Sequence, residues 1–218
     1  MPWFRRAVPV LVALTAVAPL LAACAGSGYR YVENGDEGAY FKVPDGWELY
    51  EVDFHDTLPT DRPLPDGAEL VEGPWRVVFD SAPDPSVNHI DELQPEHVVG
   101  QAEIGAIRTD RRDTLTLADL RSLVLGGEAD PIDLYEQGST DLELVDYEEI
   151  ATADGLRGNR IVVNVRLQGD DFVTIDQVAL VDAATETFYR FLVKCDAACY
   201  RDHRDQIDTI VDSWTVEP

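Results

Sequence analysis

Hydrophobic and polar residues alternate over much of the last third of the chain, which is the pattern of β-strands with one buried face. In the clearest case, apolar residues recur at every second position from Ile161 to Leu167. Similar segments follow at 172–181 and 188–193, and Gly169-Asp170 is typical of a two-residue hairpin turn. The pattern therefore predicts three consecutive antiparallel strands.

Shorter strand patterns precede these three. They lie at 40–43, 47–52, 75–80, 98–108 and 142–150. The segments 56–74 and 81–95 are rich in proline, which cannot donate a hydrogen bond to a strand ladder, so both are predicted to be loops.

Two segments have the periodicity of amphipathic helices. Thr116 and Asp119 form a capping-box pattern at the start of the first helix, and Gly126 is expected to end it. Its apolar stripe consists of Leu117, Leu120 and Val124. The second helix is predicted from Tyr200 to Trp214, and its apolar stripe is expected to pack on the sheet through His203, Ile207, Ile210, Val211 and Trp214.

The order of these elements indicates the fold class. Strands follow one another without regular helices between them, which disfavours a parallel nucleotide-binding sheet. The sequence predicts one α+β domain over residues 31–218, with an antiparallel β-sheet flanked by helices.

The N-terminus has the pattern of an export signal. Arg5 and Arg6 precede an apolar stretch, 7–23, whose 17 residues would span about 26 Å as a helix. This is short for a membrane span of about 20 residues and suits a signal peptide. A retained membrane helix is a weaker alternative.

Leu21-Ala22-Ala23-Cys24 at the end of this stretch resembles the lipobox of bacterial lipoproteins. The resemblance implies a signal peptide at 1–23, cleavage before Cys24, acylation of its thiol and a tether at 24–30. Two acyl chains would hold the protein stably on the outer side of the cell membrane. The alternative is an ordinary secretory signal followed by a chance cysteine.

The composition limits the choice of partners. The chain has 218 residues with 42 Asp and Glu against 17 Lys and Arg, and its formal net charge is −25. Binding of nucleic acid would require the opposite sign, so none is expected. Arg5 and Arg6 are the only charged residues before Cys24, so the mature part would carry −27 and be repelled by anionic headgroups.

Export would also place the remaining cysteines in an oxidising compartment. Cys195 and Cys199 then form an even pair, and we expect a disulfide at a strand-to-helix corner. A redox site would more often have Cys-x-x-Cys spacing, and a zinc site would need two further ligands.

The only dense group of metal-capable side chains lies at 89–97, where His89, Glu92 and His97 are the candidate ligands. Pro95 prevents a continuous helical face, and the His-Glu-x-x-His spacing of zinc hydrolases is absent. The main interpretation is a solvated acidic loop without metal. The chain also lacks nucleophile-elbow and phosphate-loop motifs, so we predict no catalytic residue and no cofactor.

Two segments carry a second resemblance. Phe41-Lys42-Val43-Pro44-Asp45-Gly46-Trp47 and the final stretch from Ile207 to Val216 look like the PsbP-like fold, an α-β-α sandwich that includes actinobacterial lipoproteins of the LpqN type. The resemblance implies a non-catalytic accessory or binding protein.

The sequence thus predicts a membrane-anchored, extracytoplasmic lipoprotein that binds an envelope protein or a small ligand. Two alternatives stay open at this point. One is a metal-dependent hydrolase that uses the 89–97 loop, and the other is a purely structural envelope protein.

Overall fold

The computed structural model describes residues 28–52, 71–167 and 171–217, with the backbone alone at 71–74. The described chain contains ten strands and four short helices, with 3-10 turns at Val87–Asp91 and Leu123–Leu125. In chain order the elements are β1 (Tyr29–Asn34), β2 (Ala39–Pro44), β3 (Glu48–Glu51), β4 (Val71–Asp80), β5 (Val99–Ile107), α1 (Leu117–Ser122), α2 (Pro131–Glu136), β6 (Leu142–Ala151), β7 (Arg157–Arg166), β8 (Phe172–Val181), β9 (Thr187–Asp196), α3 (Ala197–Asp202), α4 (Arg204–Val211) and β10 (Thr215–Val216).

Seven strands form the large sheet, in the order β3-β4-β5-β9-β8-β7-β6, and the small sheet has the order β1-β2-β10. All pairings among the described strands are antiparallel. The predicted α+β class is confirmed. The meander of the last third is also confirmed, because β7, β8 and β9 pair consecutively. The predicted turn at Gly169-Asp170 lies outside the described residues.

Strand pairing begins earlier than the sequence pattern indicated. Strand β1 starts at Tyr29, inside the predicted tether 24–30, and pairs with β2 over six residues from Tyr29↔Pro44 to Asn34↔Ala39. Its side chains do not alternate cleanly between apolar and polar, because the strand lies at an edge of the small sheet. The tether prediction is corrected at residues 29 and 30.

The predicted loop 56–74 is also corrected at its end, since β4 already begins at Val71. Pro74 can lie within this strand because the register with β5 shifts between Glu72 and Trp75, and proline is tolerated at such a bulge. Residues 53–70 lie outside the described part of the chain.

The first face of the large sheet carries the main core. Here α3, α4 and the small sheet cover the strands, and aromatic rings meet at the centre. The ring of Phe191 lies 5.0 Å from that of Phe41, 5.6 Å from that of Phe79 and 5.3 Å from that of Trp214. Such clusters contribute both area burial and favourable ring geometry.

The second face is covered at one end by α1, the following 3-10 turn and α2. Val162 points into the main core, while Ile161 and Val163 contact the helical side. The prediction that only one face of this strand is buried is therefore wrong, because helices cover both faces of the sheet.

The C-terminal helix is divided into α3 and α4 at His203. The chain becomes helical at Ala197, where the side chain of Asp196 caps the first turn, and the apolar stripe from Ile207 to Val211 is buried as predicted. His203 lies at the break and is exposed, so its predicted packing role is wrong.

Candidate functional site

The predicted lipidation site lies outside the described residues, as does the apolar stretch 7–23. The structure therefore does not test acylation of Cys24. Within residues 28–52, 71–167 and 171–217, no helix is long and apolar enough to cross a membrane.

A disulfide joins Cys195 to Cys199, as the cysteine count predicts. Cys195 is the penultimate residue of β9 and Cys199 lies in the first turn of α3, so the bridge closes the strand-to-helix corner. Both cysteines are buried in the main core. The side chain of Asp196 accepts hydrogen bonds from the backbone N–H groups of Ala198 and Cys199, which begins the helix inside the bridged loop.

The candidate metal loop at 89–97 is held by a buried carboxylate. Nδ1 of His89 lies 2.7 Å from Oδ2 of Asp80, a residue of β4, while its Nε2 lies 3.9 Å from Oε1 of Glu92. Asp80 also accepts hydrogen bonds from the N–H groups of Ala82 and Ser86 at 2.9 and 2.8 Å. This carboxylate therefore organises the whole turn that carries His89.

The far side of the same loop is attached to β9. The ammonium group of Lys194 donates to the carbonyl oxygen of Glu92 at 2.7 Å, and burial lowers the pKa of this lysine. His97 is exposed. In the described part of the chain, no three His, Cys, Asp or Glu side chains are grouped as metal ligands, so the structure does not bring His89, Glu92 and His97 together as a site.

A buried ion pair connects the C-terminal helices to the large sheet. The guanidinium of Arg160 on β7 forms two hydrogen bonds with the carboxylate of Asp176 on β8, at 3.0 and 2.7 Å. The hydroxyl of Tyr200 donates to the same carboxylate at 2.9 Å, and burial raises the pKa of this tyrosine far above its usual range. Tyr200 therefore stays protonated and serves as a donor at physiological pH.

The same guanidinium also reaches α4, where Asp208 and Asp212 lie at 3.4 and 3.5 Å. Hydrogen bonding to Asp176 raises the pKa of Arg160, so the side chain remains charged throughout. Burial raises the pKa of Asp176, so this carboxylate depends on Arg160 and Tyr200 to stay ionised, and loss of either partner would leave a buried charge uncompensated.

A row of polar side chains on the second face of the large sheet forms hydrogen bonds with the α1 segment. Asn159, Gln177 and Arg190 come from the adjacent strands β7, β8 and β9. They donate hydrogen bonds to the carbonyl oxygens of Leu117, Leu120 and Leu123, at 3.4, 3.0 and 3.0 Å respectively. These three hydrogen bonds attach the segment of α1 and the following 3-10 turn to the second face of the large sheet.

This row continues across the sheet towards β4. Nε of Arg190 also donates to the amide oxygen of Gln177 at 2.9 Å, and its guanidinium lies 3.9 Å from the carboxylate of Glu103. Arg76 on β4 donates to the other oxygen of that carboxylate at 3.1 Å. Burial lowers the pKa of Arg190, and the negative charge of Glu103 partly offsets this decrease.

Sequence patterns did not identify either polar cluster. Polar residues in an alternating strand were expected to face solvent, whereas Asn159, Gln177 and Asp176 are buried. Their only signal in the sequence is a polar residue inside an otherwise apolar strand, and this does not reveal which helix supplies the partner.

Arg108 and Arg112, in the turn after β5, form ion pairs within the chain. Arg112 pairs with Glu186 at 2.9 Å and donates to the carbonyl of Ile107, and Arg108 contacts Asp110 at 3.2 Å. A hydrogen bond from Arg108 lowers the pKa of Asp110. These contacts stabilise the turn after β5.

Comparisons with known proteins give structural matches only. No protein-family model matches the chain, and no curated protein sequence matches it. A solution structure of cyanobacterial PsbP from Synechocystis sp. PCC 6803 is similar at 16% identity with a TM-score of 0.49, covering 90% of this chain and 99% of that one.

Two further solved structures are similar. LpqN, described as involved in cell envelope biogenesis of Mycobacterium tuberculosis, is 14% identical with a TM-score of 0.48, covering 87% of this chain and 91% of that one. The Saccharomyces cerevisiae Ran-binding protein Mog1p is 13% identical with a TM-score of 0.41, covering 86% and 95%. PsbP and LpqN are the two kinds of protein that the sequence resemblance named. At these identities the similarity concerns the course of the chain and not its chemistry.

Proposed function

We propose that this protein is an extracytoplasmic lipoprotein, anchored to the cell membrane through Cys24, whose folded domain is a non-catalytic binding or accessory module. The observation that carries the proposal is the order of features in residues 1–24. Two arginines, an apolar stretch of signal-peptide length and small residues lead directly to Cys24. An acylated cysteine there would supply two chains, which is what stable anchoring requires.

The disulfide supports the same location. Disulfides form and persist in oxidising compartments outside the cytoplasm. The bridge between Cys195 and Cys199 closes a buried corner of the main core. A chain exported through the signal at 1–23 would meet the conditions that this bridge needs.

The binding or accessory role is supported by how the buried charges are used. Asp80 organises the 81–91 turn, Asp176 holds the C-terminal helices, and Arg190 holds the α1 segment. Each of these groups is engaged in attaching one element to another. The metal-dependent hydrolase alternative is disfavoured because, in the described part of the chain, no three His, Cys, Asp or Glu side chains are grouped as metal ligands.

Acylation can be tested with the full chain, expressed in a bacterium that processes lipoproteins and labelled with radioactive palmitate. We expect the wild-type protein to incorporate label and to pellet with membranes, and Cys24→Ser to lose at least nine-tenths of the label. The double variant Cys195→Ser/Cys199→Ser is the matched control. It should lose about 2 kcal/mol of stability, the estimate for a five-residue loop, and still incorporate label.

Equal label in wild type and Cys24→Ser would contradict the proposal. So would label that disappears only when Cys195 and Cys199 are replaced, since the lipid would then be attached at a different sulfur.

A further inference from the structure

The outer face of the small sheet carries exposed aromatic residues. Side chains of Phe41 and Val43 on β2 point into the main core, so their neighbours Tyr40 and Lys42 point outward. In the pairing of β1 with β2, Tyr31 lies opposite Lys42, and Glu33 lies opposite Tyr40. Residues opposite one another in an antiparallel pair share a face, so all four lie on the outer face.

The two tyrosines on this face are well exposed. Tyr31 is 70% exposed and Tyr40 is 37% exposed, and they are diagonal neighbours across the strand pair, at about 7–8 Å between backbones. Nζ of Lys42 lies 5.2 Å above the ring of Tyr29, at the start of β1. We call four of these residues the tyrosine face: Tyr31, Glu33, Tyr40 and Lys42.

The charge of this face differs from that of the whole chain. Lys42 is one of two lysines in the sequence, and it balances Glu33, so the face is close to neutral. The mature part would carry −27 in total, and anionic lipid headgroups repel such a body. Approach to a bilayer is therefore less unfavourable through the tyrosine face than the net charge of the whole domain would suggest.

The short segment of chain between Cys24 and β1 keeps the tyrosine face close to the proposed anchor. Tyr29 is five positions after Cys24, and an extended chain spans at most about 3.6 Å per residue, or about 18 Å in total. Tyrosine is enriched at the membrane–water interface, because the ring is apolar and the hydroxyl is hydrated.

We propose that the tyrosine face docks on the phospholipid headgroups of the bilayer that holds the acyl chains of Cys24, which turns the acidic remainder of the domain away from the lipid. This inference rests on the proposed lipid anchor. It gives the anchored domain one fixed orientation, in which α1 and α2, on the far face of the large sheet, point into the extracytoplasmic space.

The orientation can be measured by quenching of a tryptophan probe. Acylated protein that begins at Cys24 is reconstituted in vesicles of phosphatidylcholine and phosphatidylglycerol, with or without lipids brominated near the headgroup. Tyr31→Trp places the probe on the tyrosine face. Tyr135→Trp is the matched control, because Tyr135 is 52% exposed and lies on α2, beyond the opposite face of the sheet.

After subtraction of wild-type emission, we expect brominated lipid to quench Tyr31→Trp at least twofold and to leave Tyr135→Trp unchanged. Equal quenching of the two probes, or no quenching of either, overturns the docking. A blue-shifted Tyr31→Trp that brominated lipid does not quench also overturns it, because a second protein surface then covers the face.

Co-sedimentation with the vesicles separates the two proposals. Protein that pellets with vesicles but shows no quenching at Tyr31→Trp retains its anchor and lacks the orientation. Protein that does not pellet has no anchor, and both proposals then fail.

Discussion

At the scale of single residues, Gly158 shows how closely β7 and β8 approach. A Cβ built on Gly158 would lie 1.9 Å from the carbonyl oxygen of Ala179 and 2.8 Å from Cα of Leu180. Both atoms belong to the backbone of the neighbouring strand β8, so the clash is relieved only by moving that strand.

We therefore expect Gly158→Ala to lower the free energy of unfolding by about 3 kcal/mol or more. Gly46→Ala is the control, because nothing lies within 4 Å of its Cβ position. Urea unfolding, followed by the fluorescence of the core tryptophans, measures both. A loss no greater for Gly158→Ala than for Gly46→Ala would contradict the described pairing.

The roles of individual polar residues were the least predictable from the sequence. The pairing of Cys195 with Cys199 followed from their even number and the expected compartment. In contrast, the burial of Asn159 and Gln177 depends on helix carbonyls that approach from 40 or more positions away. His203 was assigned to the apolar stripe by its spacing, and a break between two helices removed it from that stripe.

At the scale of elements, Arg121 and Asp130 join α1 to α2. The guanidinium of Arg121 forms two hydrogen bonds with the carboxylate of Asp130 and also donates to the hydroxyl of Tyr147 on β6, at 3.1 Å. Asp130 caps α2 by accepting from the N–H group of Ile132 at 3.0 Å. Burial alone would raise the pKa of Asp130, but these hydrogen bonds outweigh it and hold the pKa below its usual range.

A depressed carboxylate pKa adds stability that is fully present above the unfolded value, about 3.9, and is lost as the pH falls through the lower folded value. We expect Asp130→Asn to cost about 1–3 kcal/mol at pH 7. The difference from wild type should narrow when urea unfolding is repeated below pH 4. Glu136→Gln, an exposed change at the end of the same helix, is the control and should be nearly neutral.

A difference between Asp130→Asn and wild type that is the same at pH 7 and pH 3 would show that the ionised carboxylate contributes nothing to this junction.

Strands with strong alternation were predictable as elements, and short or peripheral ones were not. The strands β7 to β9 were predictable because long apolar segments follow one another, whereas their burial on both faces was not visible in the alternation. Strand β1 was missed because it is completed by pairing with β2, and α2 was missed because six residues provide too few turns for a periodic pattern.

At the scale of the whole molecule, the proposed role depends on a difference in charge between the residues before Cys24 and those after it. The residues before Cys24 hold two arginines and no acid, and everything after it carries the entire acidic charge. The sequence indicated this division directly. It did not indicate where the tyrosine face lies relative to the anchor, since that follows from the pairing of β1 with β2 beside the main core.

Intact-mass spectrometry of the protein extracted from bacterial membranes tests the anchor most directly. The proposal predicts a chain that begins at Cys24 and carries the added mass of a diacylglyceryl group, with or without one further acyl chain. A species at the full 24.2 kDa of the unprocessed sequence, or a shortened chain without lipid, would contradict it.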